Sequence, residues 1–198
     1  MSVSYEQGGR ARQKERTRAA LIEAARHLVA RGSTPTIDEV AETASISRTT
    51  AYRYFPNQRA LLSAAHPETQ TESLLPADAP DDAGARLDIV VDAFTRLIVD
   101  TEAQQRTMLR LSLEADPAER AELPLRQGRA IGWIEEALEP VRTHLGESRF
   151  RHLVLAIRSA TGIEALAWLT DVAGLSRDEA VELMRWSARA MYQAALAE

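Results

Sequence analysis

The 198-residue sequence contains no cysteine. No disulfide framework, thiolate metal site or cysteine nucleophile can exist in it, and nothing argues for an oxidising compartment. Lysine is nearly missing as well: of 24 basic residues all but Lys14 are arginine, a bias better attributed to GC-rich coding than to guanidinium chemistry. Long apolar runs are lacking. No stretch approaches the ~18 residues of a membrane span. The first thirty residues carry Arg10, Arg12, Lys14, Arg16 and Arg18 without the apolar centre of a signal peptide. The expectation is a cytoplasmic protein, neither exported nor embedded in a membrane. With only 9 glycines and 8 prolines, 45% hydrophobic and 27% charged residues, disorder throughout is excluded. The length suits one compact domain with a small module, or two small domains.

Charge is unevenly placed. Residues 1–59 hold ten Lys/Arg against six Asp/Glu, whereas the whole chain carries a net charge of −5, so a basic head precedes an acidic body. Such a division suits a protein whose one end meets a polyanion while the rest stays soluble and repels it.

Apolar residues recur at spacings of three and four, and no strand pattern is convincing, so the fold class is all-α. A first helix spans about 10–31, with Leu21, Ala24, Ala25, Leu28 and Val29 on one stripe and Gly32 at its stop. Thr36 and Glu39 are spaced as a capping box for a short second helix ending near Ala44. Ser45-Ile46 reads as a tight turn, and Ser47 caps a third short helix that Phe55-Pro56 ends. Asn57 caps a fourth, stopped near His66 by Pro67. The chain then divides as follows: 1–9 a flexible N-terminus, 10–56 a three-helix head, 57–66 a connecting helix, 67–85 a loop rich in proline and aspartate, and 86–198 a helical bundle. Within the bundle, helices are expected at about 86–102, 104–115, 122–145, 148–173 and 177–196.

Two short helices joined by a three- or four-residue turn, the second rich in hydroxyl, aromatic and arginine side chains, meet the requirements of a helix-turn-helix. Val40, Ala41, Ile46, Ala51 and Phe55 can form the core between them. Arg48, Thr49, Thr50, Tyr52 and Arg53 then face outward with donors of different reach, suited to phosphates and base edges alike. A helical hairpin inside a larger bundle would show the same pattern.

At these residues the sequence resembles the TetR family of bacterial one-component transcriptional repressors. Thr36 to Ala44, Ile46 to Phe55 and Asn57 to Leu62 fall in register with the family's pattern, and roughly residues 15–65 are covered. The resemblance implies DNA contacts from Thr36, Ser47, Arg48, Thr49, Thr50, Tyr52, Arg53, Tyr54 and Gln58. Two positions depart from the pattern. Ser45 stands where the family places a turn glycine, and Gln58 stands where it places a phosphate-binding lysine. The resemblance further implies a homodimer on double-stranded DNA, most often a repressor on a pseudo-palindromic operator, whose body takes an unknown small-molecule effector. Pocket candidates are Phe94, Leu97, Met108, Leu113, Trp133, Ile134 and Trp168, each of which also reads as plain core. Dimer candidates on the last two helices are Ala160, Gly162, Ile163, Ala167, Met184, Ala188 and Met191, against the alternative of monomer core.

Enzyme signals are lacking. His27, His66, His144 and His152 are scattered; Glu23 and His27 share a face without a second ligand pair at zinc spacing. Asp88 and Asp92 sit in the first turns of a helix, where the dipole favours negative charge, and no partner motif follows. No glycine-rich phosphate loop or nucleophile elbow occurs. The expectation is no catalytic residue, no metal and no cofactor. The remaining alternatives are a helical module that binds small molecules or proteins without an operator, and, last, a helical enzyme. Steep salt dependence of DNA retention separates the regulator from both.

Overall fold

The structure is a computed structural model. It describes residues 3–31, 33–65, 72–114 and 128–197, with side chains from Ala11 onward. Expectations for Gly32, His66, Pro67 and residues 122–127 lie outside the described residues. Among the described residues every regular element is helical. The chain forms two compact units, 1–69 with 107–125 and 70–106 with 126–198.

In the first unit, α1 (Val3–Ala30) begins at Val3, so the helix extends into the segment expected to be a flexible terminus. Then come α2 (Ile37–Thr43), α3 (Arg48–Tyr54) and α4 (Gln58–Ala65). Leu21, Ala24 and Ala25 from α1, Ile37, Val40 and Ala41 from α2, Ala51 and Phe55 from α3, and Leu61 and Ala65 from α4 share one buried core. This is the small core expected from the sequence, with Ile46 packed against it. Arg26 Nε of α1 donates to the carbonyl of Ala65 at 3.0 Å, meeting an acceptor that the end of α4 leaves free.

Helix α6 (Glu102–Glu114) starts in the second unit and ends in the first. Its Met108 and Leu111, three residues apart and so on one face, are buried with Val29 and Leu62. Residues 107–114, expected in the body, group with the head's helices, and Met108 is buried among them.

The second unit is built on α5 (Ala83–Asp100), which starts earlier than expected because Asp82 caps it, accepting from the N–H of Ala85 at 2.8 Å. α7 (Arg129–Leu138) packs against α5, followed by a 3₁₀ turn around Pro140 and the single turn α8 (Arg142–Leu145). The loop before α5 is fastened to α7, since Trp133 Nε1 donates to the Glu72 carbonyl at 3.0 Å and Ser73 Oγ to Glu136 at 2.7 Å. The expected helix 148–173 is two helices, α9 (Glu147–Thr161) and α10 (Ile163–Asp171). They break at Gly162, whose φ of −87° and ψ of 177° leave the helical region. α11 (Arg177–Ala197) closes the unit, its start held by a Ser176–Glu179 capping box. No single helix among the described residues is long and apolar enough to cross a membrane, and the apolar face of α9 and α10 lies in the unit's own core.

Candidate nucleic-acid interface

Local chemistry sets the angle of the head's reading helix. Glu39 N–H donates to Thr36 Oγ1 at 3.3 Å, and Thr36 N–H donates to the Glu39 carboxylate at 2.7 Å, the capping box read from the sequence. Hydrogen bonds from the Thr36 backbone and hydroxyl hold the Glu39 carboxyl below its ordinary value. After α2 the N–H of Ser45 reaches Glu42 O at 3.0 Å and that of Ile46 reaches Ala41 O at 2.8 Å. This double closure requires a left-handed residue between helix and turn, and Ser45 supplies it with φ 54°. The departure from glycine therefore falls at the position where glycine is worth most.

Helix α3 starts on Ser47, whose Oγ accepts from Thr50 N–H at 3.3 Å and donates to Thr50 Oγ1 at 2.8 Å. Ala51 and Phe55 point into the core. Arg48, Thr49, Tyr52 and Arg53 are exposed, while Thr50 and Tyr54 are half-buried at the flanks. Tyr54 packs on the core, with the Arg53 guanidinium 5.6 Å from its ring centre. Arg18 of α1 lies 5.5 Å from the Phe55 ring centre, so a basic residue of α1 sits beside the end of α3.

Gln58 is turned otherwise than expected. Its amide is half-buried and donates to Thr34 O at 3.2 Å and Pro35 O at 2.8 Å, so it fastens α4 to the loop before α2 and does not point outward to a phosphate. Thr34 also accepts at its hydroxyl from Arg110 Nη2 at 3.1 Å. One residue escaped the sequence reading: Asp38 of α2 lies 3.2 Å from Arg48 Nη1. The pair sits on two successive helices, beyond the spacing rules that reveal ion pairs within one helix.

The other candidate sites divide. Phe94, Trp133 and Ile134 are buried together in the second unit, the two rings edge to face at 5.8 Å, and Leu97 is half-buried. Leu113 and Trp168 are exposed, and Met108 is buried with Val29, Leu62 and Leu111. Of the dimer candidates, Gly162, Ile163, Met184 and Ala188 are buried monomer core; Ala160, Ala167 and Met191 are half-buried. A Cβ on Gly162 would collide with Arg158 Nη1, which is ion-paired with Glu164. The exposed large apolar residues on and beside these helices are instead Leu155, Trp168, Val172, Leu183, Trp186 and Leu196. Asp88 pairs with Arg189, Asp92 with Arg96 and Arg185, and Glu23 with Arg26.

A capped helix, a left-handed turn and a second helix that buries one face while offering arginine, hydroxyl and tyrosine groups on the other define a helix-turn-helix DNA-binding protein. Residues 21–65 match the family model of bacterial regulatory proteins of the tetR family. Solved structures share the fold along most of the chain. A TetR transcriptional regulator from Rhodococcus sp. RHA1 is 20% identical over 91% of this chain and 97% of its own, with a TM-score of 0.55. A tetR-family transcriptional regulator from Streptomyces coelicolor is 23% identical over 92% of this chain and 83% of its own, with a TM-score of 0.61. No curated protein matches significantly. The head matches a tetR-family DNA-binding domain over residues 21–65, which makes the protein a DNA-binding transcriptional regulator by its head, and the chain as a whole shares its fold with tetR-family regulators.

Proposed function

We propose that the chain acts as a homodimeric, ligand-responsive repressor and carries no catalytic activity. The observation that carries the dimer is the exposure of large apolar side chains on and beside α10 and α11, with Val172, just past α10, 71% exposed, Trp186 67% and Trp168 59%. Large apolar side chains left to solvent are the mark of an interaction surface. Trp168 also lines a shallow concavity of about 390 Å³ with Ala160, Leu169, Leu183 and Met184, a shape that can receive a side chain from a second copy. Two heads about 34–36 Å apart would enter successive major grooves of a pseudo-palindromic operator. An effector that binds better when the heads stand at another spacing weakens DNA binding by its differential affinity. The Phe94–Trp133 aromatic cluster, over which Arg158 lies 5.6 Å from the Phe94 ring centre, is the place proposed for an apolar or amphipathic effector.

The experiment is sedimentation at micromolar concentration together with retention on random and selected duplexes over a range of salt. A dimer whose log affinity falls linearly with log salt is expected. A monomer removes the dimer. Binding that ignores duplex DNA would leave only a helical module that acts through another partner.

A further inference from the structure

Arg48 opens α3, and in helix-turn-helix complexes the first residues of the second helix lie closest to the base edges. Its side chain is 74% exposed, and Nη1 lies 3.2 Å from Oδ2 of Asp38 on α2. The other oxygen of that carboxylate, Oδ1, is buried and accepts no hydrogen bond. Folding explains the placement of this charge only in part: an acid in the first turn of α2 is favoured by the helix dipole, but that does not require its side chain to meet Arg48. An exposed ion pair adds little, because solvent screens it, and a buried acceptor without a donor subtracts from stability. General DNA affinity explains it no better, since a carboxylate beside the reading helix repels phosphate. What the carboxylate does is hold one edge of a long side chain that would otherwise sample many rotamers.

We propose that Asp38 is a specificity-determining residue for DNA: it orients Arg48 toward one base position and keeps it off the phosphate backbone. The inference rests on α3 being the helix that enters the major groove. A guanidinium has five N–H groups in a fixed fork. With Nη1 drawn to the Asp38 carboxylate as an ion pair, the guanidinium is biased toward one orientation, in which its fork suits the N7 and O6 acceptors of guanine. An arginine free of such a partner satisfies itself on phosphates of any sequence. Asp38 itself touches no base in this arrangement and acts through Arg48.

The test uses the full chain. Wild type, Asp38→Asn, Arg48→Ala, the double variant and Arg48→Lys are each taken through selection on a randomised duplex library. Each is then titrated against the wild-type selected duplex and a scrambled duplex of the same composition at several salt concentrations. Asp38→Asn is expected to lower the ratio of selected to scrambled affinity by about tenfold, with tighter binding to scrambled duplex and a salt slope steeper by about one. The selected sequences should lose preference at one position per half-site. In the Arg48→Ala background the Asp38→Asn change should have no effect on that ratio. Arg48→Lys, an exposed change that leaves folding intact, should lose the same preference while keeping the slope, because an ammonium has no fork. Equal shifts on both duplexes with preference intact, an undiminished Asp38→Asn effect without Arg48, or unchanged preference in Arg48→Lys would each overturn the proposal. If wild type binds duplex but enriches no sequence, this inference falls while the DNA-binding reading stands; if it binds no duplex, both fall.

Discussion

The side-chain amide of Gln58 donates to the carbonyl oxygen of Pro35 at 2.8 Å, tying the first residue of α4 to the residue before the cap of α2. Pro35 has no N–H, and this carbonyl together with that of Thr34 would otherwise lack a partner in a half-buried corner. Gln58→Ala should therefore destabilise the first unit by about 1 kcal/mol and weaken binding to DNA of any sequence by loosening the start of α2. Gln58→Lys can still donate to the same carbonyls and should leave the salt slope unchanged. A slope steeper by about one in the lysine variant would show that this side chain reaches a phosphate, and would sink the inward reading.

Ser45 holds a left-handed conformation at φ 54°, where a Cβ crowds the neighbouring carbonyl. Ser45→Gly is expected to stabilise the first unit by about 0.5–1 kcal/mol, the strain relieved being partly offset by the extra freedom of glycine in the unfolded chain. Ser45→Val should do the opposite and by more. Thermal unfolding followed by circular dichroism reads both, and an unchanged or lower midpoint in the glycine variant would count against the strain at this turn.

The head was legible because its signals are local. Thr36 and Glu39, Ser47 and Thr50, and the Phe55-Pro56 stop each operate within a few residues, and the apolar positions of α2 and α3 face a single small core. The body was less legible for a physical reason. Periodicity says that Met108 and Leu111 lie on an apolar face, but not which core receives that face. Gly162 reads as a small residue for close packing, yet it breaks the helix, and the space its missing Cβ leaves is filled by Arg158. Trp133 and Trp168 look alike in sequence, while one is buried with its N–H bonded to Glu72 O and the other is exposed.

Acid should unfold the second unit through Glu102 and Asp171. Burial raises the Glu102 pKa, but hydrogen bonds from Arg177 at 2.5 Å and Arg106 at 2.7 Å outweigh it and hold the carboxyl below its ordinary 4.5. Asp171 is held below its ordinary 3.8 by Arg106, at 2.6 Å, and then by Thr170. A carboxylate with a lowered folded value contributes stability above its ordinary value and loses it as pH falls through the lowered one. Stability from these groups should thus be level from pH 7 to 5 and decline below about 4.5. All three tryptophans, Trp133, Trp168 and Trp186, lie in this unit, so their fluorescence in urea follows it alone. Arg106→Gln should cost about 1–2 kcal/mol at neutral pH and flatten the acid decline. Parallel curves for wild type and variant would refute the assignment.

Where a charge is placed on the second unit decides between a dimer seam and monomer core. Trp186 and Trp168 expose their rings, so Trp186→Arg combined with Trp168→Arg should leave helix content intact and yield monomers in sedimentation at micromolar concentration. Operator affinity should fall by more than tenfold, because each head alone contacts only one half-site. Gly162→Glu should act differently. Its side chain would have to displace Arg158 and Glu164 at a buried helix break, and the loss of that packing should appear as reduced helix content and a lowered unfolding midpoint. If the double arginine variant remains dimeric, the seam is elsewhere. If Gly162→Glu gives a well-folded monomer, residue 162 faces a partner and its burial in the monomer core is wrong.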